Sequence, residues 1–152
     1  MRAPATALQD RGAYAYFAGT DAAGLPVWDA NQASAVPVFA DPAGAEGPAL
    51  VWDAGLGRFL LTAGHGGGTF GLFEGPTPWG PWSTVDYESR WLGMRGGDYL
   101  GVRFPSAWMA DGGATLWVVF SCYGRPACGV YHDRYNLMRA TLALAPPPRA
   151  PH

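Results

Sequence analysis

Phe73-Glu74-Gly75-Pro76-Thr77-Pro78-Trp79-Gly80-Pro81-Trp82 is the stretch on which the fold of this chain turns. Its prolines fix φ on both sides of Gly80, and Gly80 itself opens a backbone turn closed to other residues. Two indoles held on so tight a turn are suited to capping the packing between neighbouring structural units. Each contributes about 2–3 kcal/mol when buried.

Outward from this turn, strand-like runs follow one another at short intervals. On its N-terminal side are Tyr14–Gly19, a turn at Asp21–Gly24, Leu25–Trp28 and Ala35–Phe39. Ala49–Trp52, the turn signal Asp53-Ala54-Gly55-Leu56-Gly57 and Arg58–Ala63 read as a β-hairpin. Thr69–Phe73 and Ser83–Tyr87 flank the Trp-rich loop itself. Beyond it come Ala107–Met109, the turn Asp111-Gly112-Gly113, the strongly apolar Thr115–Phe120, and Tyr135–Leu142. No window of a dozen residues keeps a 3.6-residue period between caps, so little helix is expected. Residues 135–144 carry a weak helical pattern as well, but are read as a strand.

Composition agrees. The 22 glycines and 14 prolines approach the level of disordered chains, yet 49% of the 152 residues are hydrophobic and 14% aromatic. Chains that stay unfolded lack the apolar area that offsets ordering entropy. Short strands joined by tight turns reconcile the two observations, giving an all-β chain. With a net charge of −2 and no basic stripe, nucleic acid is not an expected partner. No apolar run approaches the roughly 20 residues of a membrane-spanning helix, so no membrane is expected either. Met1–Thr6 lacks the apolar stretch of a signal peptide. The expectation is a cytoplasmic protein, or a secreted or periplasmic one whose natural start lies upstream. Cys122 and Cys128 enclose five residues and read either as a disulfide closing a loop or as two idle thiols. They match no zinc ribbon, and no metal or other cofactor is expected.

A loose repeat of strand, turn, strand and Gly/Pro-rich link recurs about every 40–50 residues, the size of one four-stranded propeller blade. Blade-like units at about 12–45, 46–95 and 100–144, followed by a Pro-rich tail over 145–152, predict an antiparallel β-propeller with about three blades present. Propellers close with roughly four to eight blades, and an open ring exposes sheet edges that pair or aggregate. The chain is therefore expected to be the C-terminal portion of a longer parent, or to complete its ring by self-association.

The phrases Glu46-Gly47-Pro48-Ala49-Leu50-Val51-Trp52, Gly57-Arg58-Phe59-Leu60-Leu61-Thr62, Gly71-Leu72-Phe73-Glu74 and Pro78-Trp79-Gly80-Pro81-Trp82 resemble one blade of a particular superfamily. It comprises the five-bladed propellers of glycoside hydrolase families 43 and 32 and the sialidase-like domain of unknown function 4185. Phe104-Pro105-Ser106-Ala107-Trp108, Asp111-Gly112-Gly113, Leu116–Ser121 and Asp133-Arg134-Tyr135-Asn136-Leu137 resemble the next blade. The resemblance covers residues 46–142. It implies a propeller that acts on, or binds, an oligo- or polysaccharide in its axial funnel. Propellers of this type host hydrolases, lyases and plain binders, so a non-catalytic binding or scaffold fragment is the alternative.

Glycoside hydrolysis usually needs two carboxyl groups, about 5 Å apart for retention or about 6.5–9.5 Å apart for inversion. Glu46, one of three glutamates, matches the phrase that carries the general acid in family 43, against a solvated loop residue as the plain reading. Substrate contacts are assigned to His65, Glu74, Trp79, Trp82, Asp98 and Arg103. For the two tryptophans, sugar stacking competes with blade packing. For Asp98 and Arg103, a clamp on substrate competes with a structural ion pair. His65 lies in Gly64-His65-Gly66-Gly67-Gly68, a phrase like an esterase oxyanion loop, but no Gly-x-Ser-x-Gly nucleophile accompanies it. Asp53 reads as a turn residue chosen for local hydrogen bonds. His132-Asp133 is an adjacent pair in a polar loop without further metal ligands nearby. The hydrolase families draw their base from the first blade, and nothing in this sequence matches that blade.

Overall fold

The computed structural model describes residues 1–93, 98–124 and 128–145, so the Pro-rich tail beyond residue 145 lies outside the described residues. Among the described residues the chain is all-β, built of antiparallel strands and single 3-10 turns, and none of its three sheets closes on itself. It divides into two compact units, Met1–Ala40 and Asp41 onward.

The first unit carries one hairpin, β1 (Tyr16–Thr20) with β2 (Pro26–Asp29). Asp21 shapes its turn by accepting the amides of Ala23 and Leu25, both at 2.9 Å. Phe17 meets Trp28 edge-on at 6.0 Å, and the Arg2 guanidinium lies 4.4 Å above the same indole. The strand expected at Ala35–Phe39 does not form. A 3-10 turn over Gln32–Ser34 diverts the chain, and Pro37 has no amide hydrogen to give a ladder.

The second unit holds two sheets. β3 (Glu46–Asp53), β4 (Arg58–His65), β5 (Thr69–Gly75) and β6 (Ser83–Glu88) form a four-stranded up-and-down meander. β7 (Asp98–Arg103), β8 (Thr115–Tyr123) and β9 (Asn136–Thr141) form a three-stranded one. The run read as a strand at Ala107–Met109 is instead a 3-10 turn over Ser106–Trp108. β8 alternates strictly, with Leu116, Val118, Phe120 and Cys122 buried on one face. That face meets Leu60 of β4 and Phe70 and Leu72 of β5, so the core lies between the two sheets. Trp91, in the link from β6, stacks on Phe70 at 4.5 Å and tilts against Tyr99 and Phe120.

β7 packs beside β3 and β4, first strand against first strand. Thr62 Oγ1 crosses this seam to donate to the Val102 carbonyl at 3.0 Å. At one end of the seam two turns meet. Asp53, wholly buried, accepts the amides of Gly55 at 2.9 Å and Leu56 at 3.1 Å, and a Cβ on Gly113 would lie 2.3 Å from its Oδ1. Cys122 and Cys128 are joined in a disulfide, and the Asn136 amide pins the following loop by donating to the carbonyls of Tyr131 and Arg134.

The Trp-rich loop links β5 to β6. Gly80 has φ +89°, and the Gly80–Pro81 peptide is cis. The Trp82 indole folds back on the loop's own backbone, leaving no room for a side chain at Gly75 or Gly80.

Candidate functional site

Each strand of a meander reverses the one before it, so the two ends of the second unit collect different residues. One end holds the start of β3, the end of β4, the start of β5 and the end of β6. The start of β7, the end of β8 and the start of β9 lie at the same end of the other sheet. The two ends coincide across the seam. A Cβ on Gly64 would lie 3.4 Å from the Glu46 carbonyl and 3.9 Å from that of Tyr99.

This end carries Glu46, His65 and Asp98 from the set expected from the sequence. Glu46 opens β3 opposite Gly64, and its side chain is exposed. Asp98 opens β7, paired through its backbone with Tyr123; its side chain lies outside the described part. His65 closes β4 with its side chain only 2% exposed, and neither ring nitrogen has a hydrogen-bond partner. Asp41 Oδ2 stands 3.7 Å from Nε2. Asp41 Oδ1 accepts the Ala43 amide at 2.8 Å. The Tyr87 ring lies 5.1 Å from the imidazole at 33°, and partial burial, then the Asp41 carboxylate, hold its phenol above the ordinary value.

His132 and Asp133 belong to the same end, in the loop between β8 and β9. The His132 Nδ1 and Asp133 Oδ2 are 3.0 Å apart, and the ring lies nearly parallel to that of Tyr123. Asp133 has φ +49°, a conformation fixed partly by its amide donating to the Cys122 carbonyl at 3.1 Å.

Glu74, Trp79, Trp82 and Arg103 lie at the other end. Glu74 pairs with Leu60 and Ser83 near the close of β5, and it borders a 440 Å³ cleft with Arg58 and Leu142. Arg103 closes β7, at the opposite end of that strand from Asp98. An eight-residue strand such as β4 separates the two ends by about 23 Å. The expected contacts therefore fall into two groups that no single small ligand spans.

Asp41 and Tyr87 were not singled out in the sequence. Asp41 precedes Pro42 in a link without strand pattern, and Tyr87 reads as one more aromatic at a strand end. Among the described residues no cluster of His, Cys, Asp and Glu could hold a metal ion. No protein-family model matches this chain, and no curated protein matches it.

Proposed function

We propose that the second unit is built as two neighbouring blades of a five-bladed, glycosidase-like β-propeller, and that it holds a glycan at the strand end carrying Glu46. The propeller reading is supported by two consecutive meanders packed first strand beside first strand, the way adjacent blades stand around an axis. The observation that carries the functional reading is the position of Glu46. It is an exposed carboxylate at the first residue of β3, at the end of the second unit that also carries Asp98, His132 and the buried His65.

Two forms of this reading differ in chemistry. As a hydrolase, the site would use Glu46 as proton donor with a second carboxylate. As a binder, Glu46 would only accept hydroxyl hydrogen bonds. The exposure of Glu46, without the apolar enclosure that suits a proton donor, favours binding. Incubation with oligosaccharides of pentose, hexose, fructose and sialic acid units separates them. Binding by calorimetry without release of reducing ends supports the binder, and release abolished by Glu46→Gln supports the hydrolase. No binding and no turnover across the panel refutes both.

A further inference from the structure

We propose that the outer edge of β9 accepts one further strand from a protein partner, an extended segment whose inward-facing residues run apolar, apolar, basic from its N-terminus. The starting point is a mismatch between the two sheets of the second unit. One has four strands and the other three, and among the described residues no strand pairs with the outer edge of β9. A row of backbone amides and carbonyls on such an edge is a template for another chain. The inference does not depend on the glycan reading.

The neighbouring sheet shows the same gap. β6 is its last strand, and it is exposed at every residue, whereas Phe70 and Leu72 of β5 beside it are buried in the core. Asp86 and Glu88 pair with Leu72 and Phe70, so their carboxylates stand on the core-facing side of the sheet and are exposed all the same. Between the two outer strands lies a cavity of 320 Å³. Val85, 43% exposed, walls it on the β6 side and Met138 and Ala140 on the β9 side, with the buried Leu72 and Val118 at its base.

These features define the occupant. A strand antiparallel to β9 sets every second side chain inward, about 7 Å apart, opposite Ala140, then Met138, then Asn136. An engineered cavity of about 150 Å³ holds one benzene ring, so this one has room for the first two inward side chains if they are aliphatic. The third stands at the end where β6 closes with Glu88. Arg139, the charged residue of β9, is on the other face of its sheet, and among the described residues neither Asp86 nor Glu88 is in an ion pair. A basic side chain at that third position meets them. Only a peptide strand offers the ladder, the two apolar groups and the cation together.

Titration of the full chain with the acetylated and amidated peptide Ser-Thr-Val-Thr-Leu-Thr-Lys-Ser tests this, read by calorimetry and by the backbone amide resonances of β9. Saturable binding is expected, with those amides shifting and gaining protection from exchange. Two forms of the peptide, N-methylated on opposite edges of the strand, keep every side chain. The form methylated toward β9 should bind about tenfold more weakly, and the other as the parent does. Val85→Arg places a charge in the cavity from an exposed position, so its fold is checked by an unchanged thermal midpoint, and it should also bind about tenfold more weakly. Asp86→Lys with Glu88→Lys should weaken binding, and a peptide with Glu in place of its Lys should restore it. No saturable binding overturns the proposal, and so does equal binding of both methylated forms or of the Val85→Arg variant. A dimer in sedimentation whose β9 amides are protected without peptide, and which the peptide does not dissociate, assigns the edge to a second copy of the chain and overturns it as well.

Discussion

Replacing Gly113 by alanine, with Gly112→Ala as the control, tests the packing of the two sheets most directly. Both glycines sit in the left-handed region, at φ +64° for Gly112 and +89° for Gly113. That conformation costs an alanine about 1–2 kcal/mol. Their surroundings differ completely. A Cβ on Gly112 meets nothing within 4 Å, whereas one on Gly113 would lie 2.3 Å from Asp53 Oδ1 and 2.7 Å from Leu56 Cγ. Relief requires the Asp53 carboxylate to move by about 1 Å, which breaks the bonds it accepts from the Gly55 and Leu56 amides. Hydrogen bonds to a charged group are worth about 1.5–3 kcal/mol each, and Asp53 Oδ2 has no partner to hold a rotated carboxylate. Gly113→Ala should therefore lose about 4–8 kcal/mol, the backbone cost together with the two bonds, and Gly112→Ala about 1–2 kcal/mol. Urea unfolding followed by tryptophan fluorescence reads both, provided m is unchanged. A Gly113→Ala variant within 1 kcal/mol of Gly112→Ala, about the cost of the backbone conformation alone, would refute the turn-to-turn contact.

Three further outcomes follow from the same geometry. Reducing Cys122–Cys128, whose separation of six residues closes a short loop, should cost about 2 kcal/mol by chain entropy, read as a lower thermal midpoint in reductant; an unchanged midpoint would contradict the bond. Thr62→Val keeps the shape of the side chain but strands the Val102 carbonyl, and should cost about 1–2 kcal/mol; stability equal to wild type would mean that the bond across the seam is not made. Burial, then the Glu88 and Tyr131 charges, push the Tyr99 phenol well above its ordinary value. Because the folded pKa is the higher one, the resulting stability is complete below about pH 10, where the unfolded phenol is also protonated, and is lost as pH rises toward the folded value. A phenolate absorbance titration should find one of the seven tyrosines silent until the protein unfolds, and a Tyr99 that ionises with the rest would overturn this.

The strands that were legible in the sequence are those whose burial follows a simple rule. β8 alternates because one face lies on the core, and β4 reads as a continuous apolar run because Leu60, Leu61, Thr62 and Ala63 are all buried. β7 escaped a strand assignment because it is broken by a register shift between Leu100 and Arg103, with Gly101 at φ +61°. The segments 35–39 and 107–109 have strand-like composition without a ladder. Apolar character reports burial or β-propensity, whereas a strand also needs a neighbour with free amides and carbonyls in register. The pairing of Cys122 with Cys128 was open for a related reason. Spacing permits a bridge, but the approach of the two sulfurs depends on β8 ending where the loop returns, seen in the parallel bridge of Cys122 to His132.

The sequence singled out candidate residues but not how the fold groups them, and the reason is parity. In a meander, residues at the start of odd strands share an end with those at the close of even strands, so nearness depends on counting reversals rather than on motif strength. Glu46 and His65 are 19 positions apart yet lie at the same end, because one hairpin separates the start of β3 from the end of β4. Asp98 and Arg103 are five apart yet lie at opposite ends of one strand. The Trp-rich loop, the strongest signal in the sequence, follows β5 and so lies at the end away from Glu46. Its Trp82 is engaged with Gly75 and Gly80 of its own turn. The strength of that signal reflects a demanding local geometry, which needs particular residue types whether or not a ligand is near. A recognition site built from strand ends makes no such local demand. Asp41 sits at the end that carries Glu46 and His65 with no pattern around it, and only the buried, unsatisfied imidazole beside it marks the place.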